Sequence, residues 1–354
     1  MVKVTEDLGS SRDLIIHPGV SLADAIEYRG ISQRELAIRT GMTEKHISTV
    51  INGQKNISPA FARKLEYALG MDASFWMNLQ ANYDEELLDY EDYHGITKDE
   101  ISIMDRLNDV TKMLFSLNLL FETEYINDLI MQLRKILGIS NLLDIPKLVT
   151  ASEDSDPYVL YGWIRLCEIL TRDSEAKDPL NLTKLSNRLP DIKKTMFMRS
   201  NNIQKTLTKI FAGCGIAFNI VPAFEGAPVR GYIKKSEENP TILCLTFDQK
   251  YADVFWFNLY REIAHILNGD IKHSYIDFNT SEGKLDSKLD KKASEMLIDS
   301  KDYLVFVASK GYEKNVEVHR FAESQNVKDF IVEGKLLKDN FISLSDRTLY
   351  EWIS

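Results

Sequence analysis

Hydrophobic positions recur at helical spacing through most of the chain and at strand spacing in one part of it. Between Ser32 and Leu69 the pattern divides into three short helices, each opened by a capping residue. Ser32, with Glu35 three residues on, forms a capping box, Leu36 and Ala37 supply the apolar side, and Gly41 closes the helix in the left-handed role. Thr43 opens a second helix with Ile47, Val50 and Ile51 inward and Glu44, Lys45, His46, Ser48 and Thr49 outward, ended by Asn52-Gly53. Ser58-Pro59 opens the third, with proline at its favoured first position. Met1 to Ile15 is expected as a loosely ordered arm. Phe75 to Tyr83 is expected to pack back on the third helix as core, with a dimer contact as the alternative. Residues 84–100 are strongly acidic, break at Gly95, and are expected as a linker or solvated helix end.

Residues 100–200 keep the helical period. Met104, Leu107, Val110, Met113, Leu114 and Leu117 share one stripe; Ile126, Leu129, Ile130, Leu133 and Leu137 share another, and Tyr158 to Leu170 is an apolar helix candidate. Lys184 to Phe197 and Ile203 to Ala212 extend the pattern. From Cys214 the period changes. Ile216–Val221 and Thr241–Thr246 are short β-branched-rich runs expected as strands, with Arg230–Lys234 a further strand candidate between them, followed by helices over Asp253–Leu267 and Leu289–Ile298. Tyr350-Glu351-Trp352 is expected as a terminal apolar anchor. The fold class is therefore mainly α. A helical N-terminal domain fills residues 1–90, a helical spacer 91–212, and an α+β domain 213–354.

Two short helices joined by a glycine turn, the second polar at its start, form the helix-turn-helix pattern, in which the second helix reads the major groove and the first crosses the backbone. Charge qualifies this. The 354 residues carry a formal net charge of −10, yet residues 1–83 balance nine Lys/Arg against nine Asp/Glu. Non-specific attraction to DNA is therefore expected to be weak, so that specific binding needs base contacts from two half-sites held by a homodimer. Cys167, Cys214 and Cys244 lack CxxC spacing, which fits buried thiols in a reducing cytoplasm. No apolar run approaches membrane-spanning length and no signal-peptide core opens the chain.

The stretch from His17 to Asp84 resembles the HigA-type antitoxins of the Cro/C1 (XRE) helix-turn-helix family. The matching residues are His17-Pro18-Gly19, Ser32-Gln33 with Glu35-Leu36-Ala37, Ile51-Asn52-Gly53, Phe75-Trp76 and Asn78-Leu79-Gln80. The resemblance implies a five-helix domain in which Gln33, Thr43, Lys45, His46 and Thr49 lie nearest double-stranded operator DNA.

A second motif sits in Phe255 to Leu267, FWFNLYREIAHIL. In HExxH helices two histidines at i and i+4 bind zinc and the glutamate serves as general base. Here Arg261 stands at the first histidine, followed by Glu262 and His265. The region from about Gly213 to Trp352 resembles the ImmA/IrrE family of zincin-like metallopeptidases, and Asp290 falls where that family's third ligand, a glutamate, is expected. Arginine offers no lone pair and its fixed charge repels a dication, so the expectation is a degenerate site holding no metal and no cofactor. Arg261 would then take the metal's place and pair with Asp290 or Glu262. His17, His94, His273 and His319 read as isolated or packing residues.

These observations point to a sequence-specific, cytoplasmic transcriptional regulator that represses its own operon and neutralises a cognate toxin or binds another regulatory protein. Its C-terminal domain would be retired to sensing or protein binding. The alternatives are an active metallopeptidase that cleaves a repressor or toxin, and an antitoxin that acts mainly through protein contact.

Overall fold

A computed structural model describes residues 12–247, 252–269, 271–279 and 287–343. Its chain forms two compact units: the described residues of Met1–Ser102 with Leu120–Ile136, and those of Ile103–Leu119 with Leu137–Ser354. The stretch from 91 to 212 thus contributes helices to both.

The smaller unit begins with a 3-10 turn at Arg12–Leu14. Five helices follow: α1 (Pro18–Tyr28), α2 (Gln33–Thr40), α3 (Glu44–Ile51), α4 (Pro59–Leu69) and α5 (Ala73–His94). The caps form as their residue types dictate. Ser32 accepts from the Glu35 amide and Thr43 from the His46 amide, each at 3.1 Å, and Ser58 accepts from the Phe61 amide at 3.3 Å. Gly41 and Gly70 end α2 and α4 at φ 60° and 70°, where a Cβ is penalised. Leu22, Leu36, Ile47, Val50, Ala62, Leu65 and Trp76 are fully buried in one core. Each large side chain among them stabilises the fold by roughly 1.5–3 kcal/mol.

Three residues around His17 explain how α1 seats on this core. His17 caps the helix by accepting the Gly19 amide at Nδ1, 2.9 Å away, and Pro18 takes the first turn. Burial holds the His17 imidazole below its ordinary value of 6.5, keeping it in the neutral form this cap requires. Gly19 lies on the C-terminal carbonyls of α3, where an added Cβ would stand 2.0 Å from the Val50 oxygen.

The acidic stretch expected as a linker or helix end is the second half of α5, a single helix of 22 residues. Asp72, at its N-cap, makes no capping bond; Glu66 reaches over from α4 instead and accepts the Ala73 amide at 2.7 Å. That bond holds the Glu66 carboxyl below its usual value. Trp76 enters the core, and buried Gln80 accepts the Ile57 amide at 2.8 Å, closing the loop between α3 and α4. Trp76 and Gln80 are thus packing and loop-closing residues, whereas Phe75, expected in the core, stays exposed with its ring edge-on to Trp76.

Three helices follow: α6 (Lys98–Arg106), α7 (Asn108–Ser116) and α8 (Ile126–Leu137). Within the smaller unit Arg134 grips the buried Glu100 through two hydrogen bonds of 2.9 and 2.7 Å, which hold its guanidinium above the ordinary arginine value.

In the larger unit α9 (Pro157–Arg172), α10 (Leu182–Lys194) and α11 (Ser200–Ala212) precede a four-stranded sheet. Its strands are β1 (Ile216–Pro222), β2 (Val229–Lys234), β3 (Thr241–Phe247) and β4 (Ser274–Phe278), in the order β1-β3-β2-β4. β1 and β3 are parallel, with Phe218 opposite Leu243; β2 runs antiparallel to both β3 and β4. Alternation gives the sheet two apolar faces. Ile216, Phe218, Ile233, Leu243 and Leu245 join the core built around α12 (Ala252–Asn268). Towards α9, the Cys244 thiol meets the Cys167 carbonyl and Pro222 accepts the Trp163 indole N–H at 3.1 Å. α13 (Ser287–Leu297), α14 (Ser300–Ala308), α15 (Asn315–Ser324) and α16 (Asp329–Lys338) complete the unit. All three cysteines are free and buried. Among the described residues no helix is long and apolar enough to cross a membrane. Tyr350-Glu351-Trp352 and most of the expected N-terminal arm lie outside the described residues.

Candidate functional site

Two groups of side chains stand out. The first lies on α2, α3 and the loop after them. Thr43 and Lys45 are exposed at the start of α3, Gln33 is half-buried at the start of α2, and half-buried Thr49 donates its hydroxyl to the His46 carbonyl at 2.8 Å. His46 departs from the outward placement expected of it. Its ring packs edge-on against Phe61 with centroids 5.0 Å apart, and Nδ1 stands 3.1 Å from the Lys55 Nζ. Burial, then the charges of Lys55 and Lys64, hold this imidazole below 6.5, so Nδ1 accepts from the ammonium. His46 is thus half-buried between Phe61 and Lys55. An amphipathic period with Phe61 on the neighbouring helix is the physical reason: the ring gains more by packing than by solvation.

The second group surrounds α12. Arg261 is 6% exposed, and two carboxylates share its guanidinium. Nη1 donates to Asp277 on β4, and Nε lies 3.0 Å from Asp290 on α13 in an ion pair without hydrogen-bond alignment. Burial alone would lower the guanidinium's affinity for its proton, but the hydrogen bond and charge of Asp277 outweigh it and hold Arg261 above the ordinary arginine value. A second cation backs each carboxylate: Arg230 is 3.8 Å from Asp277 and Lys338 is 3.4 Å from Asp290.

Glu262 does not pair with Arg261 directly. It is fully buried, with Gly231 of β2 directly against it: a Cβ there would stand 3.0 Å from the Glu262 Cγ and Cδ. Burial first, and then the adjacent charge of Asp277, push its carboxyl well above the ordinary 4.5. His265 packs its ring over Tyr275 of β4, centroids 4.3 Å apart. Arg261, Asp277, Asp290 and Glu262 are thus brought together, and His265 lies beside Tyr275.

Zinc does not fit this arrangement. Asp277 and Asp290 are both engaged by Arg261, and among the described residues no group of three His, Cys, Asp or Glu is placed to hold an ion. Asp277 went unforeseen in the sequence because β4 itself did. The strand SYIDF has a single fully buried residue, and it is the aspartate, so its pattern inverts the usual alternation.

The raised Glu262 carboxyl has a measurable consequence. A carboxyl raised above 4.5 on folding stabilises the folded state below that pH, and the contribution is lost as pH rises toward the folded value. Glu262→Gln, neutral and isosteric, should lie close to wild type in denaturant unfolding at pH 4.5 and be the more stable of the two at pH 8. A gap that is the same at both pH values would show that Glu262 is not protonated in the fold.

Residues 22–76 match the helix-turn-helix family model. Virulence-associated protein A of Dichelobacter nodosus is 38% identical over 69 residues, 19% of this chain and 68% of that protein. Virulence-associated protein A′ of the same organism is also 38% identical over 69 residues, and the chain spans 60% of its length. The chain belongs to the helix-turn-helix family, through an N-terminal domain of the XRE type. Similar solved chains are antidote proteins. An addiction module antidote protein of the HigA family from Coxiella burnetii is 29% identical, covering 22% of this chain and 85% of that one, with TM-score 0.21. An antidote protein of a plasmid maintenance system from Nostoc punctiforme is 33% identical, covering 23% of this chain and 90% of that one, with TM-score 0.21.

Proposed function

We propose that the protein is a sequence-specific DNA-binding regulator of the antitoxin type, acting as a homodimer on the operator of its own operon. The observation that carries this reading is the exposed pair Thr43 and Lys45 at the start of a capped α3, with half-buried Thr49 one turn on and exposed Lys55 beside them. In this reading Lys45 and Thr49 approach base edges, while Gln33, Thr43 and Lys55 contact phosphates. A cognate toxin is the protein partner that the antidote relatives suggest.

Gel shift on the DNA upstream of its gene tests this. Lys45→Ala with Thr49→Ala should weaken specific binding about 10-fold or more, the loss of one or two base contacts. Lys55→Ala should weaken specific and random DNA alike and lower the salt slope by about one. Unchanged binding in both variants would remove this face from the DNA contact.

The same reading makes the larger unit a retired peptidase of the ImmA/IrrE kind, supported by RExxH in place of HExxH and by the engagement of Arg261 with Asp277 and Asp290. Zinc-dependent cleavage of a toxin or repressor would require ligands the described residues do not assemble.

A further inference from the structure

The stretch that forms α10, α11 and the 3-10 turn Thr195–Phe197 between them inverts the charge of the chain. Residues 182–212 carry seven Lys/Arg against one acid, Asp191, in a chain of net charge −10. Lys184, Arg188, Lys193 and Lys194 lie on α10. Arg199 stands just before α11, and Lys205 and Lys209 lie on it; of the seven only Lys193 and no other is half-buried, the rest being exposed. Asp191 is shared by Arg188 at 2.7 Å and Lys194 at 3.9 Å. Among the described residues Lys184, Lys193, Arg199, Lys205 and Lys209 make no ion pair.

Packing fixes which way these charges face. Ile203, Leu207 and Phe211 bury one side of α11, and Leu185 and Ile192 one side of α10, in a common core. At 3.6 residues per turn Lys205 and Lys209 fall on the side of α11 opposite Ile203 and Leu207, about 6 Å apart along the axis. Burial raises the Cys214 thiol above its ordinary value, and the charges of Arg188 and Lys184 act against that. The same thiol donates to the Ile210 carbonyl at 3.4 Å, so the first cations of α10 meet the Lys209 end of α11. At the other end Lys328 lies over the Phe197 ring, 5.2 Å from its centroid. The acid that follows it, Asp329, is engaged by His319 at 3.0 Å. Exposed Asn187, Asn201 and Asn202 lie among the cations.

We infer that α10 and α11 form a second DNA-contacting surface, which takes the phosphate backbone of duplex DNA without reading its sequence. Seven cations with one acid among them complement a polyanion, and the side-chain amides between them bond phosphate oxygens. An anionic membrane suits the surface less. A helix lying in a membrane interface turns its apolar side outward, whereas α10 and α11 turn theirs into the core. Their outward apolar side chains are confined to the ends, at Leu182, Phe197 and Met198. The choice of duplex DNA among polyanions rests on the helix-turn-helix domain of the same chain. The surface supplies the sequence-independent attraction that the balanced charge of residues 1–83 lacks.

The test is binding of the full chain to a random-sequence DNA duplex, measured as a function of salt. Lys205→Gln with Lys209→Gln should weaken this binding about 10-fold at about 0.1 M salt and flatten the salt slope by about two, one phosphate for each lysine. Thermal unfolding of this variant should match wild type, since both side chains are exposed and neither makes an ion pair. The same loss on random duplex is expected in a background of Lys45→Ala with Thr49→Ala, so a failure of operator recognition by α3 and a failure of this surface are read separately. Absence of random-duplex binding at low salt, or an affinity and slope unchanged in the folded double variant, would overturn the assignment. So would tighter binding, through the same two lysines, to single-stranded RNA or to phosphatidylserine vesicles.

Discussion

Arg261→Met is expected to destabilise the larger unit by about 3 kcal/mol, because it strands two buried carboxylates. Asp277 and Asp290 are almost fully buried, and both use Arg261 as their near cation. Removing one partner of a buried pair costs about 3–5 kcal/mol when nothing else compensates. Arg230 and Lys338 remain as second cations, which places the effect at the lower end of that range. Trp163 and Trp256 lie in this unit and Trp76 in the other, so indole fluorescence during denaturant unfolding follows both. Arg261→Met together with Asp277→Asn should recover much of the loss, since the pair is then removed with its charge. A single-variant change below about 1 kcal/mol, the scale of an exposed ion pair, would mean that the guanidinium does not hold the cluster together.

Gly19→Ala should destabilise the helix-turn-helix unit by about 3 kcal/mol, the upper end for overpacking. Local reasoning gives the opposite sign, since alanine in a helix is favoured over glycine by about 1 kcal/mol. The packing decides. The added methyl would stand 2.0 Å from the Val50 carbonyl oxygen and 2.9 Å from that of Ile51, both backbone atoms that move only with α3. Because α3 carries Thr43, Lys45 and Thr49, the same variant is expected to lose operator affinity along with stability. Thermal unfolding followed by gel shift at a temperature where the variant is folded separates the two effects. An alanine variant as stable as wild type would show that α1 and α3 do not approach so closely.

Local chemistry carried the helix-turn-helix unit. Ser32, Thr43 and Ser58 cap because a short side-chain oxygen reaches amides two or three residues on, and Gly41 and Gly70 close helices because they lack a Cβ. Those signals act within one turn, so they are legible in the chain. The inward positions Leu36, Ile47 and Val50 followed from helical spacing alone. The same local signals marked three of the four strands, whose apolar runs face core on both sides.

Tertiary structure decided what depends on neighbours distant in sequence. His46 is half-buried because Phe61, 15 residues on, offers its ring, and exposed Lys55 lies beside it. The acidic stretch from residue 84 became the solvated end of α5, which stops at Gly95, and the linker alternative was not realised there. The buried side of β4 is an aspartate, which no hydrophobic pattern marks, and it became Arg261's partner because the register of β2 and β4 sets Asp277 opposite Gly231, where a missing side chain leaves room for Glu262. The sequence by itself established that Arg261 cannot be a metal ligand, since guanidinium has no lone pair. Which carboxylates it would hold instead was settled by strand pairing and burial, and these are properties of the folded chain alone.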